Sequence, residues 1–123
     1  MPRSASRPQP LPPAVFHLLL ALRDGEQHGY ALMHRVEELT DGAVRMGPGT
    51  LYGAIKRMLA DGLIEESDER PDPELDDQRR RYYRLTGLGE RVGKAELQRL
   101  QALIKRAGSP DWARNRVPRL RGA

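Results

Sequence analysis

From Ala14 to Leu22 every position is apolar except His17, which suits a helix buried around most of its circumference. Pro12 and Pro13 lead into it, and proline is well tolerated in a first helical turn. Asp24-Gly25 ends it, because glycine takes the left-handed conformation beyond a helix end at least cost. A second helix is predicted from about Gly29 to Thr40, with Leu32, Val36 and Leu39 spaced i, i+4, i+7 and Arg35, Glu37 and Glu38 on its other faces. It stops at another Asp-Gly pair, Asp41-Gly42. After a connector from Ala43 to Gly47, Pro48 opens a third helix that carries Leu51, Ile55, Met58 and Leu59 and closes at Asp61-Gly62.

The period then changes from helical to alternating. Leu63 to Glu69 and Arg79 to Leu85 read as two strands, the second alternating Arg79, Arg81, Tyr83 and Leu85 with Arg80, Tyr82 and Arg84. The polar segment between them, with Pro71 and Pro73, forms a long hairpin tip. Thr86 is the expected N-cap of a fourth helix reaching Ala107, although Gly89 at its third position leaves out the acid of a capping box. Its apolar residues Leu97, Leu100, Ile104 and Ala107 step by three, four and three, a heptad seam narrower than a core-facing stripe. Gly108, Pro110, Pro118 and Gly122 among arginines make the remainder an irregular tail.

Three helices with short connections can bury their faces only against each other, and a hairpin after the third is the order of a winged helix. A chain of 123 residues supports one such core and not two. With no cysteine there is no disulfide framework, no thiolate nucleophile and no zinc finger or ribbon. His17, His28 and His34 lack metal-ligand spacing, the last two lying six residues apart on different helix faces, so neither a metal nor a cofactor is expected. The Gly87-Leu88-Gly89-Glu90-Arg91-Val92-Gly93 segment is one residue too long for a dinucleotide fingerprint and no second strand follows it. No apolar run is long enough to cross a bilayer, and Met1 to Pro13, with five prolines and two arginines, is not a secretory signal. A cytoplasmic protein is the expectation, with no membrane partner.

The net charge of +4 is a property of the two ends. Residues 13–107 hold fifteen bases and sixteen acids, while Arg3, Arg7, Arg114, Arg116, Arg119 and Arg121 stand outside them against Asp111. Placement within the domain must therefore carry any argument for nucleic acid. At 100° per residue, Leu51, Ile55, Met58 and Leu59 share one side of the third helix and Gly49, Gly53, Lys56, Arg57 and Ala60 the other. Gly53 costs about 1 kcal/mol of helix propensity relative to alanine, a cost that makes sense where a helix backbone must come close to DNA. Lys56 and Arg57 supply charge, and Thr50 and Tyr52 flank the face with hydroxyls suited to phosphates. In the hairpin, residues 65–77 hold eight acids and one arginine, and Arg79, Arg80, Arg81 and Arg84 follow at once. A basic strand can track a phosphate backbone or enter a narrow minor groove; alternatively the two runs neutralise each other across the hairpin.

Four words in this order resemble the PadR-like transcriptional regulators: His28-Gly29-Tyr30-Ala31-Leu32; Pro48-Gly49-Thr50-Leu51-Tyr52 with Ile55-Lys56-Arg57-Met58; Asp61-Gly62-Leu63-Ile64; and Arg80-Arg81-Tyr82-Tyr83-Arg84-Leu85-Thr86. The resemblance implies a homodimeric regulator, usually a repressor, of the short branch with a single C-terminal dimerisation helix. It places Tyr30 at a phosphate, helped by exposed backbone N–H groups near Gly29. It puts Thr50, Tyr52, Lys56 and Arg57 of the third helix, and Arg79, Arg80 and Arg81 of the wing, at the DNA. Gly53, where many members carry a larger residue, and the acidic hairpin tip depart from the family's pattern. Some members bind flat aromatic molecules between dimer helices. Trp112 is open to two readings, a wall of such a site or an aromatic anchor for the tail, and the second is preferred; an effector remains unidentified.

The fold class expected is thus α+β, mostly α: a winged helix-turn-helix of three helices and a two-stranded wing, then a long dimerisation helix. A proline-rich arm occupies residues 1–12, the winged-helix DNA-binding domain 13–85, the dimerisation helix 86–107 and a basic tail 108–123. The expected function is sequence-specific binding of double-stranded DNA at a pseudo-palindromic operator, without enzymatic activity. Dimer contacts are expected from Leu97, Leu100, Ile104 and Ala107, and from Leu88 and Val92, which widen the apolar face so that the helix docks against both the partner's helix and the first helix of one or both protomers. Two other readings stay open. A winged helix can bind protein instead of DNA, and Asp68, Asp72, Glu74, Asp76 and Asp77 could hold Mg²⁺ in a small nuclease.

Overall fold

The computed structural model describes residues 10–67 and 81–108. Its elements run α1 (Pro13–Ala21), β1 (Gln27–His28), α2 (Gly29–Leu39), α3 (Pro48–Ala60), β2 (Ile64–Ser67), β3 (Tyr82–Leu85) and α4 (Gly87–Ala107). α1 is the central post, as its apolar run requires. Val15, Leu18, Leu19 and Ala21 are buried, and α2, α3 and α4 all pack against it. Leu18, Leu32, Leu51 and Met58 are fully enclosed, each worth roughly 1.5–3 kcal/mol of transfer free energy. Leu39 and Leu59, expected on the inner faces, sit at the rim with 40% and 36% of their surface exposed.

Helix ends follow the local chemistry. Pro48 stands at the start of α3, where its missing N–H costs no hydrogen bond. Asp41 and Gly42 carry φ of 55° and 83° beyond α2, and Gly62 carries φ of 76° beyond α3. The Leu63 and Gly62 N–H groups donate back to the Met58 and Leu59 carbonyls at 2.9 and 3.1 Å, a Schellman closure. Thr86 caps α4 by accepting from the Gly89 N–H, as its sequence position predicts.

The sheet has three strands among the described residues, where two were expected. β3 is central, with β2 on one side and β1 on the other, both antiparallel. β1 is only two residues long, pairing Gln27 with Tyr83 and His28 with Tyr82, and so short a strand shows no alternation in sequence. It ties the start of α2 to the wing: the Gly29 N–H donates to the Arg81 carbonyl at 3.2 Å, and the His28 and Tyr82 rings meet edge to face at 5.5 Å. The hairpin tip, and the outer ends of the strands expected over 63–69 and 79–85, lie outside the described residues.

Glu96 on α4 is a buried carboxylate, 4% exposed. Arg99 forks onto it with two bonds of 2.8 Å, and the Leu11 N–H donates to it at 3.4 Å, fastening the segment before α1 to α4. The Arg99 hydrogen bonds hold the Glu96 carboxyl below its usual range against the opposing effect of burial. A carboxylate depressed in the folded state contributes stability above its unfolded value and loses it as pH falls through the folded one. Glu96→Gln should therefore lower stability at pH 7 by about 1 kcal/mol. That difference from the wild type should shrink as pH drops below the ordinary carboxylate range, which urea denaturation at several pH values measures.

Candidate nucleic-acid interface

α3 carries its apolar residues on one side, with Leu51, Ile55 and Met58 buried. The opposite side is uncovered by the described chain. Thr50, Lys56, Arg57 and Ala60 are exposed, and a Cβ built at Gly49 or Gly53 meets no atom within 4 Å. The face is therefore bare backbone bordered by two cations. Arg57 lies 3.9 Å from Asp61 one turn on, with more than half of each side chain exposed, a pair too weak and too screened to hold the guanidinium back from a phosphate.

Tyr52 takes a different place from the one expected. Its ring packs on Gly29, where a Cβ would stand 3.0 Å from both Cε1 and Oη, and its hydroxyl is buried. That geometry suits a packing residue joining the first turns of α2 and α3 better than a donor to phosphate. Tyr30, one residue further along α2, is 48% exposed and stacks edge to face with His34 at 5.7 Å. The bare N–H groups expected near Gly29 are not what the structure shows: Gly29 donates to Arg81, and Ala31 donates to the His28 ring at 3.1 Å. The first turn of α2 thus presents the Tyr30 side chain.

On the wing, Arg81 binds Glu66 at 3.0 Å and Arg84 binds Glu65 at 2.8 Å. Glu65 and Arg84 stand directly opposite in the ladder, so cross-strand neutralisation describes this part of the hairpin. All four side chains keep at least a third of their surface, and such pairs are readily exchanged. Beneath them, burial and then the Glu66 charge raise the Tyr83 phenol above its ordinary value, with Arg81 opposing, which keeps it neutral. Arg79, Arg80, the acids Asp68, Asp72, Glu74, Asp76 and Asp77, and Trp112 lie outside the described residues.

The residues expected to pair with a second copy divide. In the first half of α4, Gly89 lies against Leu63, Gly93 against Leu19 of α1, and Glu96 takes the Leu11 N–H; Leu97, Leu100, Ile104 and Ala107 continue the same side beyond them. Leu97 is 37% and Ile104 68% exposed, and Leu103, which the heptad reading passed over, is 52% exposed; its position three residues after Leu100 was the available signal. Val92 packs on the core. Leu88 lies nine residues before Leu97, hence on the opposite side of the helix, and its Cδ2 approaches Gly62. It does not belong to the seam. A cavity of about 300 Å³ opens where the seam meets α1, lined by Leu19, Leu20, Leu85, Gly93 and Leu97 with Arg23 and Lys94 at the edge. Among the described residues no helix is long and apolar enough to cross a membrane.

This winged helix with a projecting terminal helix is the architecture of a family of regulators, not of enzymes. The chain belongs to the transcriptional regulator PadR-like family, whose model it matches over residues 18–98. Transcriptional regulator Rv3488 of Mycobacterium tuberculosis is 35% identical over 89 residues, 72% of this chain and 77% of that protein. An uncharacterized 37.1 kDa protein in transposon TN4556 of Streptomyces fradiae is 33% identical over 97 residues, 76% of this chain. The match spans only 26% of that longer protein. Among solved structures, a transcriptional regulator from Clostridium thermocellum superposes with a TM-score of 0.62 at 25% identity, over 75% of this chain and 84% of the other. Bacillus subtilis PadR in complex with operator DNA shares the fold, with a TM-score of 0.59 at 20% identity over 70% of this chain and 47% of that one.

Gly53 offers a direct check on the open face. An exposed helical glycine with free space around its Cβ position gains about 0.5–1 kcal/mol on conversion to alanine. Gly53→Ala should raise the melting temperature while lowering affinity for DNA, as thermal denaturation and fluorescence anisotropy would register.

Proposed function

We propose that the protein is a homodimeric, sequence-specific DNA-binding repressor. Each protomer lays α3 in the major groove of a pseudo-palindromic operator and rests its wing on the backbone or minor groove. The observation that carries this reading is the outer face of α3, bare at Gly49 and Gly53 and bordered by Thr50, Lys56 and Arg57. Tyr30 stands beside it as a phosphate contact, and Arg81 reaches the duplex by exchanging Glu66 for a phosphate. Arg79 and Arg80 would extend that contact along the wing. Residues 13–85 form the DNA-binding unit and 86–107 the pairing helix, and the place of action is the cytoplasm, with the DNA. Bacillus subtilis PadR, which shares the fold and was crystallised in complex with operator DNA, supports the DNA reading.

Phosphate contacts make affinity fall steeply with salt. Selection of bound duplexes from a random pool supplies the operator. On that duplex Lys56→Ala/Arg57→Ala should weaken binding about tenfold or more and reduce the slope of log affinity against log salt by about 2, with the circular dichroism unchanged. Binding indifferent to salt would point to a protein partner and sink the DNA reading.

The lengths of two helices support pairing. α4 has 21 residues and α1 has 9, so α4 at about 31 Å outruns its support by more than half. In an isologous dimer the Leu103 and Ile104 side chains of one copy fill the Leu19, Leu20 and Leu97 groove of the other, and the reverse. Leu103→Glu/Ile104→Glu puts four charges into that contact and should weaken the dimer on the order of a thousandfold or more. Light scattering at micromolar protein should show a wild-type dimer and a folded monomeric variant.

A further inference from the structure

The reading helix and the pairing helix meet at one point. α3 passes into β2 through Asp61, Gly62 and Leu63, and β3 passes into α4 through Thr86 alone. At that crossing the Thr86 hydroxyl donates to the Gly62 carbonyl at 2.6 Å and accepts from the Gly89 N–H at 3.0 Å. The Thr86 N–H donates to the Leu63 carbonyl at 3.1 Å. Gly89 sits so close beneath Leu63 that a Cβ there would run into the same carbonyl. Leu88 lies over the turn, its Cδ2 3.8 Å from where a Cβ on Gly62 would stand. One hydroxyl therefore caps the start of α4 and holds the Schellman turn that ends α3.

We infer that Thr86 is a positioning residue that sets the angle between α3 and α4, and with it the separation of the two operator half-sites the protein accepts. The inference deepens the dimeric reading above and rests on it. The argument is one of leverage. The junction grips the C-terminal end of α3, whereas a recognition helix contacts base edges chiefly with its N-terminal residues. α3 has 13 residues, so those ends are about 18 Å apart. A tilt of about 10° at the junction moves the reading end by about 3 Å, close to the rise of one base pair at about 3.4 Å. The ladder beside the junction, Ile64 against Leu85, pairs the strands but leaves each helix joined by a short link. The hydroxyl bridge and the close seat of Gly89 remove that freedom. In a symmetric pair the two displacements add, because α4 is shared with the dimer axis and each α3 hangs from it.

The test compares wild type, Thr86→Val and Thr86→Ser, each selecting duplexes from the same random pool, and reads the spacing between half-sites in what each retains. Wild type and Thr86→Ser, which keeps the hydroxyl, should select one spacing. Thr86→Val should spread over spacings differing by one or two base pairs, its preference for the best over its neighbour falling from about tenfold to about threefold. Loss of a helix cap alone lowers the melting temperature and leaves spacing where it was, so spacing separates positioning from mere stability. Thr86→Val selecting the wild-type spacing as sharply as wild type overturns the inference. Should Thr86→Val fail to fold, Thr86→Asp takes its place, since a carboxylate keeps the cap on the Gly89 N–H but has no proton to donate to the Gly62 carbonyl; a spacing as sharp as wild type there overturns the inference equally. A wild type that retains no duplex, or only single half-sites, overturns the DNA or dimer reading in its own right, before any variant is compared.

Discussion

Leu51, Ile55 and Met58 decide which side of α3 faces out. They are buried against the helices beneath, at roughly 1.5–3 kcal/mol apiece, and a half-turn of the helix about its own axis would bring that surface to water and put Gly49 and Gly53 in its place. Set against a total stability of roughly 5–15 kcal/mol, that rotation amounts to unfolding. The outward direction of Lys56, Arg57 and the two glycines is therefore a consequence of core packing. Tyr52 on Gly29 locks the neighbouring helix start, where Tyr30 is exposed, to the same frame.

Charge follows placement more than total. Fifteen bases against sixteen acids over residues 13–107 give the folded part no general attraction for DNA, so the sign of each face decides. Acids gather at the far end of α2, where Glu38 and Glu37 engage Arg35 and Arg45. The α3 face carries its two cations with only the loose Arg57–Asp61 pair among them. The wing arginines described are held by Glu65 and Glu66. Those pairs make the approach of DNA an exchange of partners: a phosphate offers Arg81 what Glu66 already offers, and the net gain is the difference between two screened contacts. In the proposed complex, a wing so balanced would favour orientation over affinity and leave α3 to supply discrimination.

Much of this architecture was legible in the order of the residues, because proline and glycine punctuate the helices and each apolar stripe has one period. The helix bounds at Pro48, Gly87 and Ala107 came from such local signals, as did the Thr86 cap and the open side of α3. What escaped was tertiary. Two residues of β1 acquire meaning only when Tyr82 and Tyr83 arrive beside them. Tyr52 has the look of a surface hydroxyl until Gly29 is seen to make room for its ring. Leu88 belongs to an apolar list but not to the seam, which helical geometry could have told. Glu96 reads as a solvated acid in sequence, yet it is 4% exposed, since only the fold brings Leu11 across to it.

Glu96 also marks where α4 changes its supports. Before it, Gly89 and Gly93 let the helix lie close on Leu63 and Leu19, small residues chosen by contact distance. After it the helix carries eleven more residues, to Ala107, with leucine and isoleucine turned to water. A helix shorter than about 12–15 residues is marginal on its own, so this second half draws its order from continuity with the first and from whatever covers its apolar side. In the dimer proposed above, a second copy supplies that cover with the same residues it needs covered. In that proposed dimer, pairing and the ordering of the last three turns would be one equilibrium, and the angle at which the two reading helices are presented would depend on both Glu96 and Thr86, one at the middle of the shared helix and the other at its root.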